Sequence, residues 1–398
     1  MTFACAVCYN FKENGGGRMK NTYELFLKTI KCGVGEGDLP TDAEWGKVFA
    51  LAKRHGVTSI FYNAVKDAEN VPVDIKTTAK TLYLAQTAQQ MAQEYYAEAF
   101  FDGLKARGIR YMPLKGYVLR KLYPTPEHRT SCDVDVFYDK NRKTEMEEIL
   151  TSLGFINEGD SVNHGEWVYQ KVTLETHHEL AAQKDLYHEY YKDVWARLKT
   201  EDGVRYDFTD EDFYVYFLAH GAKHFTLGGF GVRTVLDVYI YNKEKKLDRE
   251  YLQAELEKLG LLQFTLALER LSRVWFGEET GDEETELLGE YIFESGTYGT
   301  EQHLAIKRGL GEGDSTKKAK RAYFRRTVFP PLSTMKNMYP VLNKAPFLLP
   351  FTWVCKWCKI LFKRRKRVKV VMKNMQSFEA EKVSKSAKVM DVVGFSKR

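Results

Sequence analysis

The chain has 398 residues, 44% of them hydrophobic and 29% charged, enough for two or three domains and a sizeable core. Its formal charge of +6 is uneven: 14 Lys or Arg stand against 3 Asp or Glu between Lys356 and Arg398, and the rest is slightly acidic. That balance disfavours a nucleic-acid binder, which carries its positive charge across the folded domain. Six cysteines in a chain of this length argue against a disulfide scaffold.

Residues 1–18 read as a disordered extension with no secretory signal, and the true start is left open between Met1 and Met19. Residues 19–108 read as a helical region. Thr41-Asp-Ala-Glu44 has the pattern of a capping box opening a helix to Arg54, with Gly56 as its stop. A second helix is expected from Thr58 to Asp67. A long one is expected from Asp74 to Lys105, Ala-, Gln- and Glu-rich and closed by Gly108.

The period then changes, and residues 109–200 read as a mixed core. Strands are expected at Ile109–Pro113, Asp133–Tyr138, Glu166–Gln170 and Val172–His178, with helices at Lys115–Leu122 and Lys140–Leu153. Residues 210–310 return to helical spacing, with Gly277–Glu286 and Gly309–Ser315 as loops. Residues 311–370 hold a loop and an aromatic, basic amphipathic stretch, and 371–398 a basic tail. No run of apolar residues is long enough for a membrane span, so a cytoplasmic location is expected.

Asp133-Val134-Asp135 is the chemical centre of this reading. On a strand, residues i and i+2 share a face, so both carboxylates look into one site roughly 7 Å apart along the chain. Like charges so placed call for a cation, and hard oxygens suit Mg²⁺, which binds one or two carboxylates plus substrate phosphates. Glu175 and His177 share one face of the later strand, and Glu175 is the candidate third acid for two-metal transfer chemistry. The competing reading of each acid is a solvated residue on an amphipathic strand.

These residues resemble the uncharacterised nucleotidyltransferase family of the DNA polymerase beta-like superfamily. The features that carry the resemblance are the turn Leu114-Lys115-Gly116, then Tyr123-Pro124, Arg129, Asp133 with Asp135, and Glu175 with His177. The stretch Leu218–His224 followed by Arg233–Asp237 resembles the family's later helices more loosely. The resemblance implies an α+β fold, with a nucleotidyltransferase-type mixed sheet flanked by helical N- and C-terminal regions. It implies Asp133, Asp135 and Glu175 as catalytic Mg²⁺ ligands, Lys115 and Gly116 in the phosphate-receiving turn, and Arg129 as a triphosphate or substrate contact. His177 is expected to orient Glu175 or meet substrate. Gly116-Tyr117 departs from the wider superfamily's Gly-Ser or Gly-Gly pair, so a serine hydroxyl contact is missing from the turn.

The expected activity is transfer of a nucleoside monophosphate from an NTP to an unknown hydroxyl acceptor, with release of pyrophosphate. The alternative is a catalytically silent member of the fold, used as a membrane-surface or partner-binding module. Residues 345–373, aromatic and then polybasic, suit an anionic membrane surface or a docked helix equally well. His220 and His224, at i and i+4, have a spacing able to hold a metal, though buried packing is the plainer reading. Arg233 and Asp237 read most simply as an i,i+4 helix pair.

Overall fold

Alternation along one short strand organises the centre of the molecule. In the computed structural model, residues 16–161, 163–181, 186–297, 299–300, 303–304, 306, 316–363 and 380–396 are described. Strand β2 (Val134–Tyr138) runs antiparallel to β1 (Tyr111–Pro113) and parallel to β5 (Val172–His177). The hairpin partners β4 (His164–Tyr169) and β3 (Ile156–Asp160) complete the order β1-β2-β5-β4-β3. A short ribbon of β6 (Lys199–Thr200) and β7 (Tyr206–Asp207) follows. The chain is thus α+β, with a five-stranded mixed sheet among helices.

Val134, Val136 and Tyr138 point to one face of the sheet, and Leu174 and Trp167 extend it. That face is covered by Phe100, Phe101 and Leu104 of the long helix α4 (Val73–Ala106), and by Met146, Ile149 and Leu150 of α6 (Lys143–Ser152). Each such buried aliphatic side chain contributes about 1.5–3 kcal/mol. Gly103 is needed at the α4–α6 contact, because a Cβ there would sit 2.5 Å from Ile149 Cγ2.

The second core lies on the other side. It joins α1 (Gly16–Gly33), α2 (Trp45–Arg54) and α3 (Thr58–Val65) to the later helices, with Met112, Leu114 and Phe137 of the sheet region at its edge. After α5 (Lys115–Leu119) and the single-turn α7 (His188–Tyr191) come α8 (Asp210–Thr226), α9 (Val232–Glu244), α10 (Arg249–Lys258), α11 (Leu262–Phe276) and α12 (Glu283–Ser295). Thr209 caps α8 by accepting the Asp212 N–H at 3.0 Å, leaving the helix free to present its other turns to the sheet.

Several elements differ from expectation. Gly16, within the stretch read as a disordered extension, opens a helix; α1 is held by fully buried Phe26 and Ile30, and Tyr23 stacks on Phe293 at 4.0 Å. The Thr41 box does not form: α2 starts at Trp45 with Glu44 at its N-cap and no side-chain cap bond. The stretch read as a loop at 277–286 ends in a helix start, where Asp282 and Thr285 form a capping box. The end of the chain is not only tail. After α13 (Thr316–Val328), α14 (Leu332–Met338) and α15 (Leu349–Lys363), helix α16 (Ala380–Val392) buries Val389 and Met390 in the second core, followed there by Val393 and Phe395. Residues 1–15, the loop at 309–315 and the polybasic run after Lys363 lie outside the described residues.

Helix α15 has two faces. Trp353 Nε1 donates to Pro330 O at 2.9 Å, Trp357 Nε1 to Val328 O at 2.7 Å, and Lys356 Nζ to Thr327 O at 2.6 Å. The tryptophans therefore dock on the protein. Phe351 and Val354 face outward, in line with Phe347 before the helix. Among the described residues no helix is long and apolar enough to cross a membrane.

Candidate active site

The sheet face opposite α4 carries the chemistry. Parallel pairing sets Asp135 beside Glu175 and Phe137 beside His177, so period-two alternation brings two acids and an imidazole onto one face of adjacent strands. Asp135, Glu175 and His177 offer ligand atoms that all lie within 4.8 Å of one another. His177 Nε2 is 2.8 Å from Asp135 Oδ1 and 3.4 Å from Glu175 Oε2. Asp135 is buried, whereas the Glu175 side chain keeps 24% of its exposure. One carboxylate is thus fixed and the other remains within reach of a ligand.

Lys115 enters from the turn after β1. Its backbone is positioned when Leu114 N donates to Asp135 O at 2.9 Å. Its φ of +42° lies in the left-handed region that a side-chain-bearing residue rarely adopts. The strained turn directs the ammonium onto Asp135 Oδ1 at 2.6 Å. Gly116 follows; a Cβ there would come 3.2 Å from Ser131 Cβ, so the turn and the 129–131 loop approach each other closely. Ser131 Oγ lies 3.5 Å from that point and donates to Asp133 O at 2.9 Å. A serine hydroxyl therefore stands beside the turn although the turn itself has none.

Asp133 lies just before β2, is partly exposed, and is not among the three residues whose ligand atoms converge. Burial, then the negative charges of Asp135 and Glu175, push its carboxyl up to about 7. Asp135 behaves oppositely: against its burial, Lys115 and His177 hold it well below the usual carboxylate range. Burial works against the charged forms of Lys115 and His177 as well, but Asp135 raises both, with Glu175 assisting at His177. The site is charge-dense: its surroundings favour the ionised form of Asp135 and disfavour that of Asp133.

Arg129 is buried and turned toward the later helices. Its Nε donates to Asp237 Oδ1 at 2.7 Å, where Tyr123 Oη also donates at 2.7 Å, and its Nη1 donates to Thr130 O at 3.1 Å. Arg233 Nη1 reaches Thr130 O at 2.9 Å. So Asp237 ties α9 to the loop before β2.

Helix α8 adds residues the sequence reading left outside the site. Tyr216 is buried, and its hydroxyl feels Lys115, Asp135 and Glu175, although burial is the main reason its ionisation is disfavoured. His220 and His224 follow at one-turn intervals on the same side. The signal was the i, i+4, i+8 spacing of Tyr216, His220 and His224.

The family model described as uncharacterised nucleotidyltransferase matches residues 41–277, which span α2 to α4, the sheet and α8 to α11. No curated protein matches the chain, and no solved structure does.

Proposed function

The chain belongs to the uncharacterised nucleotidyltransferase family, and from that premise we propose a Mg²⁺-dependent transfer of a nucleoside monophosphate from an NTP to a hydroxyl acceptor. The observation that carries this reading is the convergence of Asp135, Glu175 and His177 on one sheet face, with Asp133 at its edge. The donor chemistry fits a hard divalent cation, because, after burial, Asp135 and Glu175 push the Asp133 carboxyl up by like-charge crowding that such an ion would relieve. Lys115 already stands against Asp135 as a substitute cation.

Asp133, Asp135 and Glu175 are the residues that would hold Mg²⁺, which supplies charge neutralisation at the phosphates and acidifies the attacking hydroxyl. The protein's own work is positional and electrostatic. His177 fixes the Asp135 carboxylate by hydrogen bond. Glu175, the more exposed acid, helps draw the proton from the acceptor hydroxyl. The acceptor oxygen then bonds to the α-phosphorus, the bond from that phosphorus to the bridging oxygen breaks, and pyrophosphate leaves with its charge. Lys115 and the turn at Gly116 receive the phosphates, and Arg129, held by Asp237, adds positive charge beside Asp133.

The test is calorimetry with each NTP, with and without Mg²⁺, on wild type and Asp135→Asn, followed by labelled-NTP transfer in cell extract. Mg²⁺-dependent binding and transfer that Asp135→Asn removes are expected. Unchanged transfer in Asp133→Asn or Asp135→Asn overturns the reading.

A second reading has its own observation. Phe347, Phe351 and Val354 are 80%, 66% and 48% exposed on the outward side of α15, next to the Lys- and Arg-rich α13. Aromatic side chains beside basic ones suit an anionic lipid surface, which supports a peripheral attachment to a membrane. Sedimentation with anionic and neutral vesicles separates the two readings, since attachment requires no nucleotide.

A further inference from the structure

Two imidazoles stand across the cleft from the acid cluster and take no part in the chemistry above. His220 and His224 lie one turn apart on α8, with ring centroids 4.4 Å apart and their Nε2 atoms 2.8 Å apart. Two such nitrogens do not attract each other in every protonation state. Either one ring is the Nε2–H tautomer and donates to the other, or both lone pairs converge on one point, and the latter needs a cation there. Burial first, then the charge of Lys115, disfavours the imidazolium form of both rings, His220 the more strongly.

The charges facing the pair come from several elements. Lys115 and Lys223 disfavour a cation, while Asp135 favours one at both rings and Glu175 at His224. Lys115 is itself paired with Asp135, which blunts its repulsion. Geometry is close to what chelation requires. Two imidazole nitrogens in a tetrahedral zinc shell stand about 3.3 Å apart, so the pair must open by roughly half an ångström. His224 reaches solvent, so the site has an entry path.

We infer that His220 and His224 form a second cation site, for a zinc-class divalent ion rather than Mg²⁺, with its remaining positions turned to water or substrate oxygen in the cleft. Ligand softness separates the two sites: imidazole nitrogen suits zinc, cobalt and nickel, whereas carboxylate oxygen suits Mg²⁺. The inference does not depend on the nucleotidyl-transfer reading, since two-nitrogen chelation needs no nucleotide.

Co²⁺ titration of the full chain in excess Mg²⁺, followed by visible ligand-field absorption and reversed by Zn²⁺, tests it. Wild type and Asp135→Asn should both bind. His220→Ala and His224→Ala should each weaken binding by more than the roughly 10–100-fold that even a ligand's outer partner is worth. His224→Cys should restore it through a thiolate, with a shifted spectrum, which a merely structural histidine would not do. No Co²⁺ band in wild type, a band indifferent to both histidine variants, or a band that only Asp135→Asn removes would each overturn the assignment. In the last case the carboxylate cluster is the site, and the nucleotidyl-transfer reading stands untouched.

Discussion

The two faces of β2 show what one residue of register decides. Val134, Val136 and Tyr138 go under α4 and α6 into an apolar core, while Asp135, between them, looks into a charged cluster with Glu175 and His177. The apolar face makes the strand rigid, and the rigid strand fixes the acids. Site precision is therefore borrowed from packing on the reverse side.

Substitutions on the two faces should fail in different ways. Val136→Asp puts an unpaired charge among Phe100, Val134 and Ile149, and should leave no cooperative thermal transition; a normal melt would show that this face is not the strand's anchor. Leu174→Ala is milder, costing about 2–5 kcal/mol by denaturant titration. It should lower transfer activity only in step with the folded fraction.

On the charged side, Asp135→Asn should lower transfer by more than about 100-fold while the fold survives, with the Lys115 ammonium still facing Asp133. Circular dichroism beside activity separates these outcomes. Asp133→Asn should show itself through pH. Because the Asp133 carboxyl is raised from 3.8 to about 7, the folded chain keeps a proton that the unfolded chain has lost across that window. The Asp133 contribution to metal-free stability then falls as pH rises from about 4 to 7, and that component should be missing when Asp133→Asn melts are compared with wild type across the window. The smallest effect on stability belongs to Phe351→Ser, within about 0.5 kcal/mol. It should nevertheless reduce sedimentation with anionic vesicles if the outward face of α15 meets lipid.

Much of the sheet was legible because alternation is a local signal. Val172, Leu174 and Glu175 declare their faces in sequence, and pairing with β2 follows from adjacency of the two acid-bearing strands. Strand β3 was not legible: nearly all of Ile156–Asp160 is exposed, so it offers no alternation to read. Helix α1 was hidden by its glycine-rich start, its register being set by Phe293 and other distant partners. At the site, residue types and their order showed the acids, but tertiary partners did not show. Lys115 reaches Asp135 only because of a left-handed turn, and Arg129 meets a carboxylate 108 positions away. The Asp282 box at α12 was readable and simply lies within a polar stretch that resembles a loop.

The knot of Tyr123, Arg129 and Asp237 also bears on how the protein comes apart. A buried guanidinium whose ion-pair carboxylate sits on α9 cannot keep that carboxylate if α9 melts or is cut away. A fragment trimmed to residues 109–200 would leave that guanidinium without its carboxylate. Limited proteolysis should accordingly yield either the intact ensemble of sheet and later helices or small peptides, with no long-lived species between.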